Sequence, residues 1–212
     1  MKKFLSIILA ICMVTASMVV AFAADDTEVL DPVSITMKEI DDYLASHPSF
    51  GALTEINETQ VAHIPLSNGE TATITIKNEC VSPMTRGSVD WTDFKDGAYI
   101  VTVTEDIPLV AKFTHTVDYT LTREEATWSA KIVFTDTDIS VIPKRGVAIG
   151  GQDAMITENA YLSAKAEGYF RAQYTAAGTE LVSANIYSHI NMSNAGGTDK
   201  GIVVRCNSYY TL

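Results

Sequence analysis

Beyond residue 60 the chain alternates apolar and polar side chains, and this period of two is typical of β-strands with one buried face. In residues 113–122, aromatic and aliphatic side chains share one face with His115, while threonines and Asp118 occupy the other. The same pattern recurs in three further segments: 71–77, 99–104 and 128–134. Asn68-Gly69 lies between two such runs and favours a tight hairpin.

Residues 160–174 carry a mixed signal. Their alanine content favours a helix, but most of their apolar side chains fall on even positions, with Lys165, Glu167 and Arg171 between them. Alternation over this length does not fit the 3.6-residue period of a helix. We therefore predict a strand here, in which Gly168 marks a bulge or bend.

One segment, residues 36–47, predicts a helix. Thr36 and Glu39 form a capping box, in which each side chain satisfies a backbone donor of the first turn, and Pro48 ends the helix. Its apolar stripe is narrow and consists of Met37, Ile40 and Leu44. We expect this helix to pack on the edge or end of a larger body.

Together these elements predict a mainly β protein, an antiparallel β-sandwich of about eight to ten strands with one short N-terminal helix. A closed β-barrel is the alternative. Residues 35–212 are expected to form a single domain. Residues 24–34 are acidic and patternless, and we expect them to be a disordered N-terminus.

Residues 1–23 have the pattern of a cleaved export signal. Two lysines precede an apolar run, and Ala21-Phe22-Ala23 is the small-residue site that a signal peptidase reads, which predicts cleavage after Ala23. An uncleaved membrane anchor is the less favoured alternative, because no basic cluster follows the run. The Met-Lys-Lys start is typical of bacterial signals. We therefore predict a secreted, extracellular bacterial protein that has no membrane segment after cleavage.

The chain is acidic, with a formal net charge of −11 at pH 7. Nucleic acids and anionic membrane surfaces attract clustered lysine and arginine. The only adjacent basic pair after the signal is Lys144-Arg145, in a Pro/Gly turn. The composition therefore excludes both classes of partner and indicates solubility.

Two cysteines remain once the predicted signal, which contains Cys12, is removed. In an exported chain, Cys80 and Cys206 most economically form one disulfide bridge. Two unpaired buried thiols are the alternative. A zinc site is disfavoured because the two thiols lack the close Cys/His spacing that zinc requires.

The loop over residues 90–97 combines three carboxylates with two aromatic rings. Asp90, Asp93 and Asp96 offer the oxygen ligands that calcium prefers, so this loop is a candidate calcium site. A solvated turn that ends at Asp96-Gly97 is the favoured alternative, because the spacing differs from that of known calcium loops and Lys95 opposes a cation. No other cofactor is expected.

Aromatic side chains raise the possibility of sugar binding, because a pyranose ring stacks on a flat aromatic face. Trp91 lies in the polar loop and is the favoured candidate for such contact, whereas Trp128 lies in the apolar register of its strand. Three tyrosines, Tyr169, Tyr187 and Tyr209, occupy strand positions that are compatible with either face.

Sequence patterns for catalysis are largely missing, and we assign no catalytic residue. The chain contains no G-x-S-x-G, no H-E-x-x-H, no phosphate-binding glycine loop and no C-x-x-C. Its four histidines are far apart in sequence. His115 shares an apolar strand face, and we expect it to be a partly buried imidazole that bonds to backbone near a strand end.

These observations predict a non-catalytic secreted β-sandwich with an extracellular binding or structural role. Its ligand is expected to be an extracellular protein or a glycan. The alternative is a secreted hydrolase that acts on an extracellular polymer, with acids drawn from different strands.

Overall fold

This computed structural model describes residues 32–53, 57–83, 96–124, 129–160, 163–176, 179–195 and 201–211. The predicted export signal, residues 1–23, lies outside these ranges. The chain divides into two units, Met1–Leu30 and Asp31–Leu212, and all that follows concerns the second unit.

Within the described ranges one helix, α1 (Pro32–Ser46), precedes ten strands. The strands are β1 (Ala52–Leu53), β2 (Thr59–Pro65), β3 (Thr71–Pro83), β4 (Gly97–Ile107), β5 (Ala111–Glu124), β6 (Ser129–Pro143), β7 (Val147–Ala160), β8 (Ser163–Ala176), β9 (Thr179–Ala195) and β10 (Gly201–Thr211).

The strands form two antiparallel sheets of five strands each. The first sheet has the order β2-β3-β4-β5-β6, and the second sheet has the order β1-β10-β9-β8-β7. No backbone ladder joins the two sheets in the part of the chain that the structure describes. The predicted antiparallel β-sandwich is therefore confirmed, and the alternative of a closed barrel is wrong.

The period of two that predicted the strands is also the burial pattern of the sheets. Along β4, buried and partly exposed residues alternate without interruption from Gly97 to Ile107. The inner faces of both sheets contribute to one core, whose largest fully buried side chains include Tyr99, Tyr119, Phe113, Phe134 and Phe170. Burial of this apolar surface is the main favourable term in the stability of the fold.

The helix begins four residues before the predicted start. Pro32 is its first residue, a position where the missing N–H of proline costs nothing. Thr36 therefore lies inside the helix, where it is 2% exposed, and it is not the N-terminal cap. Glu39 Oε2 instead accepts a hydrogen bond from the backbone N–H of Ser67 at 3.1 Å, which ties α1 to the β2–β3 turn. Residues 32–34, predicted to be disordered, are helical.

The prediction of a strand over residues 160–174 is confirmed by β8, but the predicted bulge at Gly168 is wrong. Gly168 pairs in regular register with Ala154 on one side and Ser188 on the other. It has a packing role instead. An added Cβ would lie 2.7 Å from Ile139 Cγ2 and 3.1 Å from the ring of His115, so only glycine lets the first sheet approach this closely.

At both seams of the sandwich, a side-chain amide replaces a backbone partner. Between β7 and β6, Asn159 accepts a hydrogen bond from Phe134 N–H at 2.9 Å and donates one to Phe134 C=O at 2.8 Å. Between β2 and β1, Gln60 accepts from Gly51 N–H at 2.8 Å and donates to Ala52 C=O at 2.8 Å. We call Asn159 and Gln60 the seam amides.

The edge strands are irregular as well. Thr135 is an extra residue in β6, where the register with β5 shifts. Gly150 and Thr157 are extra residues in β7, where the register with β8 shifts twice. Such bulges twist an edge and interrupt its row of free backbone groups.

Candidate binding face

His115 joins the two sheets through the middle of the core. Its Nδ1 lies 3.1 Å from Ser188 Oγ on β9, and its Nε2 lies 3.0 Å from Thr137 Oγ1 on β6. The imidazole is fully buried at the fifth residue of β5, where it contacts two hydroxyls and also the backbone of Ser188. The predicted contact with backbone is therefore present, but the prediction of a partly buried ring was wrong.

This histidine–serine pair is closed to substrate. Burial and, to a smaller extent, the nearby charge of His189 lower the pKa of His115 to about 4, although a hydrogen bond with the backbone of Ser188 acts in the opposite direction. The ring is therefore neutral at physiological pH. His115 and Ser188 are each 0% exposed, so we assign the pair to the packing of the sandwich.

A shallow groove lies beside the C-terminal end of α1. Its volume is about 570 Å³, and its lining includes Tyr43, His47, Phe50 and Val61. The rings of Tyr43 and His47 stack with their centroids 4.1 Å apart. Among the described residues that line the groove there is neither Asp nor Glu, so they do not supply the paired carboxylates that a polymer hydrolase uses.

The outer side of β8 and β9 is a broad polar surface with aromatic residues at its centre. Inward side chains are buried from Ala164 to Ala172 on β8 and from Ala184 to Met192 on β9, whereas the outward ones are partly or fully exposed. We call the outward side chains the tyrosine face. They are Lys165, Glu167, Tyr169, Arg171 and Gln173 on β8, and Ser183, Asn185, Tyr187, His189 and Asn191 on β9.

Two stacked tyrosines occupy the middle of this face. Tyr169 and Tyr187 are direct partners across β8 and β9, and their ring centroids are 5.9 Å apart with 29° between the planes. Tyr209 is the backbone partner of Tyr187 on β10, although its side chain lies outside the described set. Tyrosine thus occupies three adjacent strands at one level of the sheet.

Polar contacts flank the two tyrosines. On one side, Glu167 Oε2 lies 3.1 Å from His189 Nε2. On the other side, Arg171 Nη2 donates a hydrogen bond to Ser183 Oγ at 3.1 Å.

The outer face of the first sheet has a different composition. Its central strands present threonines in register, and Thr104 Oγ1 lies 3.4 Å from Thr114 Oγ1. Its described outward positions contain no tyrosine, tryptophan or phenylalanine. Threonine is enriched in β-strands, so strand preference alone accounts for its presence on this outer face.

Two residues of the tyrosine face are poor choices for a strand. Asn185 and Asn191 lie on β9, an interior strand of the second sheet, where asparagine is depleted. Strand preference does not account for these two asparagines, whereas it does account for the threonines of the first sheet, so the two outer faces differ in this respect.

The predicted ligand-binding Trp91 and the predicted calcium ligands Asp90 and Asp93 lie outside the described residues. Asp96 is described and is 6% exposed, directly before β4. Across the described ranges, no three His, Cys, Asp or Glu side chains converge into a metal-binding group. Calcium binding by this loop stays a prediction.

The predicted bridge between Cys80 and Cys206 is not confirmed. Cys80, on β3 in the first sheet, is half-buried and carries a free thiol. Cys206, on β10 in the second sheet, pairs in backbone register with Ile190, and its side chain lies outside the described set. The pairing stays a prediction that would link the two sheets.

The tyrosine pair was only partly visible in the sequence. The alternation that places Phe170 and Ile186 in the core also fixes their neighbours Tyr169 and Tyr187 on the outside. The parity of the strand was thus the signal that selects the exposed tyrosines. That β8 and β9 are neighbours in register follows only from the fold.

No protein-family model, no curated protein and no solved structure matches this chain. Within the described residues, the helix is too short and too polar to span a membrane.

Proposed function

We propose that this is a non-catalytic, exported β-sandwich protein that binds a glycan on its tyrosine face. The single observation that carries the proposal is the stacked pair Tyr169–Tyr187 at the centre of a polar surface, on the outward side of two interior strands.

The chemistry of the face suits a sugar. Tyrosine combines an apolar ring with a hydroxyl, so it contacts the C–H groups of a sugar and also hydrogen-bonds to it. Asn185, Asn191 and Gln173 carry amides, which both donate and accept, as sugar hydroxyls do. This combination supports a glycan over an apolar protein surface as the ligand.

Co-sedimentation of the purified protein with insoluble polysaccharides and purified bacterial cell wall tests the proposal. We expect retention of the native protein and a loss of about ten-fold for Tyr169→Ala and Tyr187→Ala, because central aromatic anchors dominate binding energy. Thr104→Ala, on the outer face of the first sheet, is the matched control and should be retained like the native protein.

Two further measurements test whether the predicted loop, residues 90–97, takes part in binding. Retention that Trp91→Ala abolishes and the tyrosine variants leave intact would move the site to residues 90–97. Loss of retention on calcium removal would implicate Asp90, Asp93 and Asp96. Retention unaffected by every tyrosine variant would overturn the proposed site.

A further inference from the structure

We propose that the groove beside the C-terminal end of α1 binds a small organic cation, a quaternary ammonium ion of the choline type. The groove shares no described residue with the tyrosine face, so cation binding here does not require a glycan there. Three features of the groove carry the proposal: its aromatic lining, its electrostatic surroundings and the hydrogen bonds that its amide already makes.

Aromatic rings and one exposed aliphatic side chain dominate the described lining of this groove. Tyr43 and His47 stack with 19° between their planes, and His47 Nδ1 lies 2.9 Å from the carbonyl oxygen of Tyr43, which fixes the ring in the stack. Phe50 adds a third ring, and Val61, which is 50% exposed, adds apolar surface. The faces of tyrosine and phenylalanine rings attract a cation, because their π-systems are negative there.

The electrostatic surroundings of the groove favour a positive charge. The C-terminal end of a helix is its negative end, and the last turn of α1 contains no basic residue to neutralise it. Among the described residues that line the groove there is neither lysine nor arginine. Beside the lining, the Glu58 carboxylate accepts a hydrogen bond from Gln60 Nε2 at 2.8 Å. The formal net charge of −11 attracts cations to the molecule as a whole.

The amide of the lining favours a cation that needs no hydrogen bond. Gln60 carries the only side-chain amide among the described lining residues, and both of its ends are already bonded, to Gly51 N–H and to Ala52 C=O. A primary ammonium has three N–H donors that lose water when it enters such a site. A quaternary ammonium has no N–H donor, so it brings its charge without this requirement.

The same lining disfavours a phosphate attached to the cation. Proteins bind phosphate chiefly with arginine and lysine, and the described lining contains neither. We therefore commit to free choline-type cations, and not to the phosphocholine headgroup of a lipid.

Isothermal titration calorimetry of the purified protein with choline at pH 8 tests the proposal. We expect a dissociation constant of about 1 mM, as for a small ligand of few atoms. The neutral alcohol dimethylbutanol, in which a carbon atom replaces the charged nitrogen of choline, should bind about five-fold more weakly, because it lacks the cation–π attraction. Phosphocholine should also bind more weakly than choline, and vesicles of phosphatidylcholine should not retain the protein.

Ring variants assign the binding to the groove. Tyr43→Leu and Phe50→Leu each keep an apolar side chain but remove a π face, and we expect each to weaken choline binding by about five-fold. Tyr43→Phe is the matched control, because it keeps the ring and should bind choline like the native protein. Thermal unfolding of each variant shows whether a loss of affinity reflects the lost ring or a damaged fold.

Four results would each overturn the proposed cation site. Choline does not bind, choline and dimethylbutanol bind equally, the leucine variants bind choline like the native protein, or phosphatidylcholine vesicles retain the protein and choline releases it. These results are distinct from the glycan test, because Tyr43→Leu should be retained by the polysaccharide like the native protein.

Discussion

His115 combines a titratable side chain with a fully buried position in the core. It is the only histidine described as fully buried, and its two ring nitrogens contact hydroxyls on two strands, one in each sheet. A neutral ring serves as donor at one nitrogen and acceptor at the other. Protonation would place a charge in the core, where no described carboxylate contacts the ring.

This arrangement predicts that acid destabilises the protein through His115. The pKa of the group is 6.5 unfolded and about 4 folded, so the unfolded state binds more protons between these values. Stability is fully present above about pH 6.5 and decreases as the pH falls toward 4, by about 2–3 kcal/mol. Urea unfolding of the native protein and of His115→Gln, each at pH 7 and at pH 4.5, measures this loss of unfolding free energy.

The comparison between variants isolates His115 from other groups. Asp41 has the opposite effect on stability. Burial and the neighbouring Asp42 raise its pKa to about 6, so the folded state binds this proton more tightly than the unfolded state and acid stabilises the fold through this group. His63→Gln, at an exposed position of β2, is the matched control for the substitution itself. An equal pH dependence in the native protein and His115→Gln would contradict the prediction.

Gly168 supplies the space that His115 occupies. Gly168→Ala places a methyl group 2.7 Å from Ile139 Cγ2, and we expect it to destabilise the protein by about 1–3 kcal/mol. Gly151→Ala is the matched control on β7, because nothing lies within 4 Å of its added Cβ. Thermal unfolding compares the two. Equal changes in stability for the two variants would show that the contact with Ile139 relaxes freely, and would contradict the prediction.

At the scale of elements, the seam amides complete the sandwich where strand pairing ends. Asn159→Asp replaces the donor to Phe134 C=O with a carboxylate oxygen, which repels that carbonyl. We expect a loss of about 1–2 kcal/mol in unfolding free energy and faster hydrogen exchange at the Phe134 amide. Unchanged exchange at Phe134 would show that the seam does not depend on this side chain.

Asn68→Asp provides the control for that substitution. Asn68 lies in the exposed β2–β3 turn, where its Oδ1 accepts from Glu70 N–H, a role that aspartate retains, and its Nδ2 donates to Glu70 Oε2, a solvent-exposed contact that aspartate loses. We expect a change within about 0.5 kcal/mol, as for most surface substitutions.

Local patterns predicted the strands but not their assembly. The inward set on β5, such as Phe113 and Val117, follows from alternation alone, because each strand buries one face. The start of α1 was missed because Thr36 and Glu39 imitate a cap, while the true start depends on burial of Val33 against the core. The seam amides were not predictable, since Asn159 and Phe134 meet only in the folded chain.

For the tyrosine face as well, the sequence predicted which side chains lie on the outside but not which strands are neighbours. Parity fixed which side Tyr169 and Tyr187 occupy, but their stacking requires β8 and β9 to be neighbours in one particular register. The calcium loop and Trp91 were predicted from composition alone, which carries no information about the residues that they contact.

At the scale of the whole molecule, the two outer faces differ, with threonines on one sheet and tyrosines on the other. If the ligand is neutral, few counterions are released on binding, and retention should change by less than about two-fold between low and high salt. Co-sedimentation at two ionic strengths measures this. A steep loss of retention with salt would instead indicate an ionic ligand.

The predicted bridge is a prediction about the whole molecule, because Cys80 and Cys206 lie in different sheets. We expect the exported, denatured protein to react with a thiol reagent at both positions only after reduction. Labelling without prior reduction would contradict the bridge and would agree with the free thiol of Cys80.

The interrupted edge strands of the sandwich affect whether several copies of the protein associate. β1 has only two residues, β2 ends at Pro65, and bulges interrupt β6 and β7. One molecule therefore offers its neighbour no long, regular edge to extend. We expect the protein to stay dispersed at concentrations where open-edged β proteins form fibrils, so that a surface coated with it would carry separate molecules, not a polymer.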